Sequence, residues 1–240
     1  MKVVVVCCLH GNEKCGLEVI KKLPSNVTSF IGNEKALELN KRFIDCDLNR
    51  NFPGDKDGNY EEKLANDLIE KLINFEYVID IHSSSNECPL FGIITNPNKD
   101  KINLAEKMGL NKLVIMSESF ASGKSLIDFV NCGISLEVGP HNRIENSNEI
   151  REAILNLINN EINEKEMSIF EVVQIIKKQD EGEIIIKNFE EVNKGDILIK
   201  GENNQIAEFD FIPVLVNEEA YKDILCLACK KVFGWKNFLI

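Results

Sequence analysis

Residues 3–23 read VVVVCCLHGNEKCGLEVIKKL. A strand-like apolar run, Val3–Leu9, gives way at His10-Gly-Asn-Glu13 to a helix-like segment, Glu13–Leu23. Open α/β sheets build their sites where strands end and helices begin. A second apolar run, Tyr77–Ile81, stops at His82 in VIDIHSSS. The chain has three histidines, and these two fall at strand ends. His10, Glu13 and His82 together make the His, Glu, His donor set that binds a catalytic zinc ion and leaves a fourth position open. HxxE by itself is unspecific, and a helix-capping or core histidine fits His10 as well.

Working outward, the first two-thirds of the chain alternate strand-like and helix-like segments. Further strands are expected at Val27–Ile31, Phe91–Thr95, Leu113–Met116 and Ile134–Val138. Helices are expected at Glu34–Asn40, Glu61–Asn74, Ile102–Met108 and Asn148–Asn163. Leu64, Leu68, Leu72 and Ile73 give Glu61–Asn74 its helical period. This alternation predicts an α/β fold, a mainly parallel sheet covered by helices. The run NNEINEKE, ending at Glu166, breaks the pattern. Short β-rich segments follow at Phe170–Ile176, Glu183–Ile186, Ile197–Ile199 and Ile212–Val216, punctuated by Gly182, Gly195 and Gly201. The expected organisation is a larger α/β domain, residues 1–165, and a small β-rich domain, residues 166–240.

The 240 residues suffice for a sizeable core, and the formal net charge of −11 argues against a nucleic-acid partner. A carboxylate substrate would need local cations to enter so acidic a body. The N-terminal apolar run is short and leads straight into the ligand motif, so it reads as a core strand, not a signal peptide. No apolar run approaches the ~18 residues of a membrane span. The expected setting is the cytoplasm. Most of the eight cysteines lie in apolar runs and read as buried free thiols; Cys226-Leu-Ala-Cys229 lacks the second pair a zinc ribbon needs.

Three further segments carry chemistry. Residues 42–54, RFIDCDLNRNFPG, offer arginine forks and an asparagine amide to a carboxylate. Leu136-Glu137-Val138-Gly139-Pro140 puts a carboxylate at the end of a strand-like run, where a general base of zinc hydrolases would stand. Residues 213–221, PVLVNEEAY, place Tyr221 just past another strand. A solvated charge or a core tyrosine is the alternative for each taken alone.

The order HGNE, RFIDCDLNR, DIHSS, LEVGP and VNEEAY resembles the aspartoacylase and succinylglutamate desuccinylase family, with RFIDCDLNR and VNEEAY closer to aspartoacylases. The resemblance runs from Val3 to about Tyr221. It implies a zinc carboxypeptidase-like mixed sheet flanked by helices, followed by a small β-rich domain. It implies His10, Glu13 and His82 as ligands of one zinc ion, and Glu137 as general base and then proton donor. Arg42 would hold the oxyanion. Asn49, Arg50 and Tyr221 would grip a substrate carboxylate. Asp47 would orient a zinc histidine, and Lys124 would stand where aspartoacylases carry another substrate-binding arginine.

The implied reaction is hydrolysis of an N-acyl amino acid, N-acetyl-L-aspartate first among the candidates. Cys7-Cys8-Leu9 and Ser83-Ser84-Ser85 depart from the residues usual at those places, which leaves the acyl group and the amino acid open. A desuccinylase-like or broader deacylase, a carboxypeptidase and a non-catalytic metal-dependent binding protein are the alternatives. Assembly into a homo-oligomer stays open.

Overall fold

A computed structural model describes residues 1–117, 123–141, 143, 145–161, 166–179 and 181–233. The junction residues 162–165, including the last part of the expected helix Asn148–Asn163, lie outside the described residues. Twelve strands are described. β1 (Val3–Cys7), β2 (Thr28–Ile31), β3 (Tyr77–Ile81), β4 (Phe91–Ile94), β5 (Lys112–Ile115) and β6 (Gly133–Glu137) come first. β7 (Ser168–Lys177), β8 (Glu183–Ile184), β9 (Ile197–Lys200), β10 (Gln205–Ile206), β11 (Ile212–Val214) and β12 (Ile224–Val232) follow. Five helices accompany them: α1 (Cys15–Lys21), α2 (Glu34–Glu38), α3 (Tyr60–Leu72), α4 (Lys99–Lys107) and α5 (Asn146–Asn159).

Nine strands form one sheet in the order β11-β12-β7-β5-β4-β6-β3-β1-β2, and β10-β9-β8 form a small antiparallel sheet. The large sheet is mixed. β2, β1, β3 and β6 run parallel, as do β4, β5 and β7, but β4 meets β6 antiparallel. The join between β6 and β4 is thus where strand direction reverses. Residues after 166 supply β7, β12 and β11 to the main sheet as well as the small sheet.

β1 reads VVVVC with almost every residue buried, the continuous apolar signature of a strand covered on both faces. Its Val5 and Cys7 pack with Ile79, Ile81 and Leu136 under α1, α4 and α5. Val4, Val6 and Val78 pack on the other face under Ala65, Leu68 and Leu72 of α3. α3 starts at a capping box, in which the Asn59 side chain and Glu62 satisfy each other's backbone N–H groups. Ile73, counted with the apolar stripe in sequence, is exposed just past the helix.

β12 (Ile224–Val232) is not among the strands expected from the sequence. Its apolar run ILCLAC has no alternation, because most of its side chains are buried. β12 pairs along β7 and carries Cys226 and Cys229, both buried and free. No described helix is long and apolar enough to cross a membrane.

Candidate active site

The donor set assembles at the ends of β1 and β3. After β1 the backbone turns at Cys8, and Gly11 lies against α2 so closely that a Cβ there would fall 2.1 Å from the Ala36 carbonyl carbon. That approach requires glycine. It presents His10 and Glu13 side by side, both 3% exposed. The His82 N–H donates to the Leu136 carbonyl at 2.8 Å, which fixes its start against β6.

Glu13 stands between the two imidazoles. Its Oε1 is 2.7 Å from His10 Nδ1, and its Oε2 is 3.0 Å from His82 Nδ1. The Ser83 N–H donates to Oε2 at 3.1 Å, and Arg42 Nη1 donates to Oε1 at 3.3 Å. The donor atoms of His10, Glu13 and His82 lie within 4.8 Å of one another. Burial works against the charge of Glu13, but the two histidines hold its carboxyl well below the usual range.

Both imidazoles are oriented from behind. His10 Nε2 is 3.0 Å from Asp47 Oδ1, and His82 Nε2 is 2.6 Å from Asp80 Oδ2. Each Nδ1 therefore faces inward and each outer nitrogen meets a carboxylate, the arrangement that fixes tautomer and ring direction at metal sites. Two inward imidazoles and one buried carboxylate fit a divalent ion such as zinc. Asp80 did not figure among the sequence candidates, although Asp-x-His on a strand puts both side chains on one face. Asp80→Ala should lower metal affinity about 10- to 100-fold, read by competition with a chromophoric chelator. Unchanged affinity would show that His82 does not depend on it.

Arg42 donates through Nε and Nη2 to Asp47 Oδ2, at 3.1 and 2.9 Å. Burial opposes the guanidinium charge, but Asp47 and Glu13 more than offset it, so its pKa is raised. The loop that carries Arg42 and Asp47 is fastened by Glu61, a fully buried acid of α3 that accepts from the Ile44, Asp45 and Cys46 N–H groups and from Asn33 Nδ2. No sequence signal distinguished Glu61 from the solvated acids around it.

Arg50 Nη2 donates to the Tyr221 hydroxyl at 2.7 Å, and Arg42 Nη2 reaches the same oxygen at 3.5 Å. Asn49 comes from the 3-10 turn Leu48–Arg50 and is 7% exposed. Its Nδ2 lies 3.3 Å from His82 Nε2, and its Oδ1 accepts from the Leu126 N–H at 2.9 Å. Lys124 is exposed and does not line the cleft; its carbonyl accepts from the Phe52 N–H.

Glu137 ends β6 and lines the same cleft as the donor set. Burial, aided by Glu13, Glu218 and Asp80 and opposed by His82, pushes its carboxyl up to about 8. Tyr221 is held by a loop docked on the residues just after His82. Glu218 Oε2 accepts from the Ser85 N–H at 2.8 Å and the Ser85 hydroxyl at 3.0 Å. Asn86 Nδ2 donates to the Val216 and Asn217 carbonyls. The Tyr221 N–H then donates to the Glu218 carbonyl at 3.0 Å. Glu218, Ser85 and Asn86 were not sequence candidates.

A mixed α/β sheet that gathers a His–Glu–His cluster, a desolvated carboxylate and two arginines in one cleft has the makings of a metal-dependent hydrolase. The profile of the succinylglutamate desuccinylase/aspartoacylase catalytic domain matches residues 1–158. The chain belongs to that family. A probable aspartoacylase of Acaryochloris marina is 31% identical over 162 residues, 58% of this chain and 55% of the relative. The chain thus spans about half the length of the first such relatives it matches. A probable aspartoacylase of Prochlorococcus marinus aligns with 100% of this chain and 97% of its own length at 25% identity. The crystal structure of murine aminoacylase 3 superposes with a TM-score of 0.80 over 97% of this chain and 95% of that one, at 20% identity, which shows a shared fold.

Proposed function

We propose that this chain is a zinc-dependent amidohydrolase that removes the acyl group from an N-acyl amino acid. One observation carries the reading: Glu137 lines the cleft that holds His10, Glu13 and His82, with Arg42 and Arg50 in the same wall. His10, Glu13 and His82 would hold one zinc ion. Bound there, the ion would act as a Lewis acid towards the amide oxygen and lower the pKa of water.

The chain's own residues do the rest. Arg50, with the Tyr221 hydroxyl and Asn49 beside it, takes the substrate carboxylate and fixes the amide over the donor set. Glu137 accepts a proton from water as its oxygen attacks the amide carbon. Arg42, held by Asp47, faces the oxygen on which negative charge develops. Glu137 passes its proton to the leaving nitrogen as the C–N bond breaks. The products are a carboxylate and a free amino acid. Residues 1–165 serve as the catalytic unit, and residues from 166 on bring Tyr221 and Glu218 to the substrate site. Eight cysteines, none of them paired, suit the cytoplasm.

The family resemblance points to N-acetyl-L-aspartate, and the geometry supports a grip for one of its two carboxylates. The test is release of free amino acid from a panel of N-acetyl and N-succinyl amino acids by zinc-loaded protein, with and without a chelator. Arg50→Ala should raise KM about 10- to 100-fold, the loss of one hydrogen-bonded charge, with a smaller change in kcat. An unchanged KM would mean that another group holds the carboxylate.

A further inference from the structure

We infer that the inner end of the cleft receives the amino-acid side chain of the substrate and selects an uncharged one, with Thr95 as the residue that sets the choice. This rests on the deacylase reading above and departs from aspartate as the amino acid released.

The sheet register locates the inner end. Ser135 lies two residues before Glu137 on the same face of β6, about 6–7 Å further in. Ile93 of β4 stands opposite Ser135, and Thr95 follows two residues later. Met116, Ser125 and Ile127 close the space with them. The 3-10 turn Leu126–Asp128 is tied to the carboxylate grip, because the Leu126 N–H donates to Asn49 Oδ1 at 2.9 Å. The inner end therefore adjoins Asn49 and Arg50. In an N-acyl amino acid the group nearest the α-carboxylate, apart from the amide itself, is the side chain on the same carbon. A substrate held by Arg50 points that side chain inward.

The described residues of this end, Ile93, Thr95, Met116, Ser125, Ile127 and Ser135, are all uncharged. Among the described residues, the lysines and arginines lining the cleft are Arg42 and Arg50. Arg42 is committed to Asp47 and Glu13, and Arg50 sits at the grip. Lys124 faces solvent. Lys101, on α4, gives its Nζ to the Thr95 carbonyl at 2.7 Å and is not part of the cleft wall. A second substrate carboxylate placed here would lose its water without gaining a cation, which is costly.

The hydroxyls at this end are unequal. Ser125 Oγ donates to Asp128 at 2.6 Å, and Ser135 Oγ donates to Asp80 at 3.3 Å. Thr95 is 1% exposed, and its Oγ1 is buried without a partner. A buried hydroxyl with no partner in a binding cleft is satisfied by a ligand that brings one.

The test compares kcat/KM for N-acetyl-L-asparagine and N-acetyl-L-aspartate, which share a shape and differ in charge, with N-acetyl-L-alanine as reference. Zinc-loaded protein should favour asparagine over aspartate at least about tenfold. Thr95→Val should lower the asparagine-to-alanine ratio about tenfold, and Thr95→Ser should restore it, each variant checked for fold by circular dichroism. A preference for aspartate, or equal rates, overturns the inference, leaves the deacylase reading standing and makes Lys101 the cation to examine. A ratio unmoved in Thr95→Val removes Thr95 from the selection. Failure to hydrolyse any N-acyl amino acid, with zinc bound, fells both readings.

Discussion

Glu137→Gln should lower kcat by about 10³-fold while the protein keeps its zinc, an effect within the range for losing a general acid–base group. Glutamine has nearly the same shape and can still hydrogen-bond water, but it cannot accept the proton. Glu137 is not part of the donor cluster of His10, Glu13 and His82, so metal content should match that of the parent. The setting of the carboxyl gives the substitution its force. Burial and the neighbouring acids Glu13, Glu218 and Asp80 raise its pKa to about 8, so it holds a proton more readily than an exposed glutamate does. A positive charge arriving beside it moves that value down, towards the range in which it alternates between acceptor and donor near neutral pH. Metal content by atomic absorption, with single-turnover kinetics, separates the two effects. Near-parental turnover would take Glu137 out of the mechanism.

Arg42→Ala should cost about 10²- to 10³-fold in kcat, the usual effect of removing one oxyanion donor. The loss should fall on kcat more than on KM, because the guanidinium acts on charge that develops during the reaction. Arg42 also neutralises Asp47 and touches Glu13, so the alanine variant disturbs the cluster as well. Arg42→Lys distinguishes these roles. Lysine keeps a positive charge near Asp47 but lacks the fork that contacts Asp47 and Glu13 together. A lysine variant with normal metal affinity and strongly reduced kcat would assign the guanidinium to the oxyanion. Full activity in the lysine variant would restrict Arg42 to charge balance.

Much of the fold was legible because its strands are buried on both faces. Runs such as VVVVC and YVIDI stand out in sequence and end at the donor residues. Strand direction was not legible. The antiparallel meeting of β4 and β6 depends on long-range pairing, and no local residue encodes it. β12 has the same kind of buried apolar run, but its partner β7 and its place in the main sheet follow from long-range pairing.

In the site, the residues with an unusual spacing or a dense polar context could be picked out: His10, Glu13, His82, and the 42–50 segment. Apart from Asp47, those that act by supporting others were not picked out. Glu61 looks like an ordinary acid in a charged sequence, and only its burial and contacts show that it gathers a loop, whereas Asp80 shares a strand face with His82, a spacing that gains meaning once both are buried together. Ser85 and Glu218 are 133 positions apart, and their contact exists only once β11 and β12 join the sheet. Lys124 is a different case. Its place in the sequence suits a substrate cation, yet the backbone turns its side chain to solvent and brings Ser125 and Ile127 to the cleft instead.

In the proposed mechanism His10, Glu13 and His82 hold a metal that makes Glu137 and Arg42 effective in amide hydrolysis. The most direct measurement is free amino acid released from N-acetyl amino acids by the purified full chain: as loaded with zinc, after chelation, and after zinc is restored. Release should stop on chelation and return with the metal, at a stoichiometry of about one ion per chain. Equal release by metal-free protein, or none by protein carrying its zinc, would contradict it.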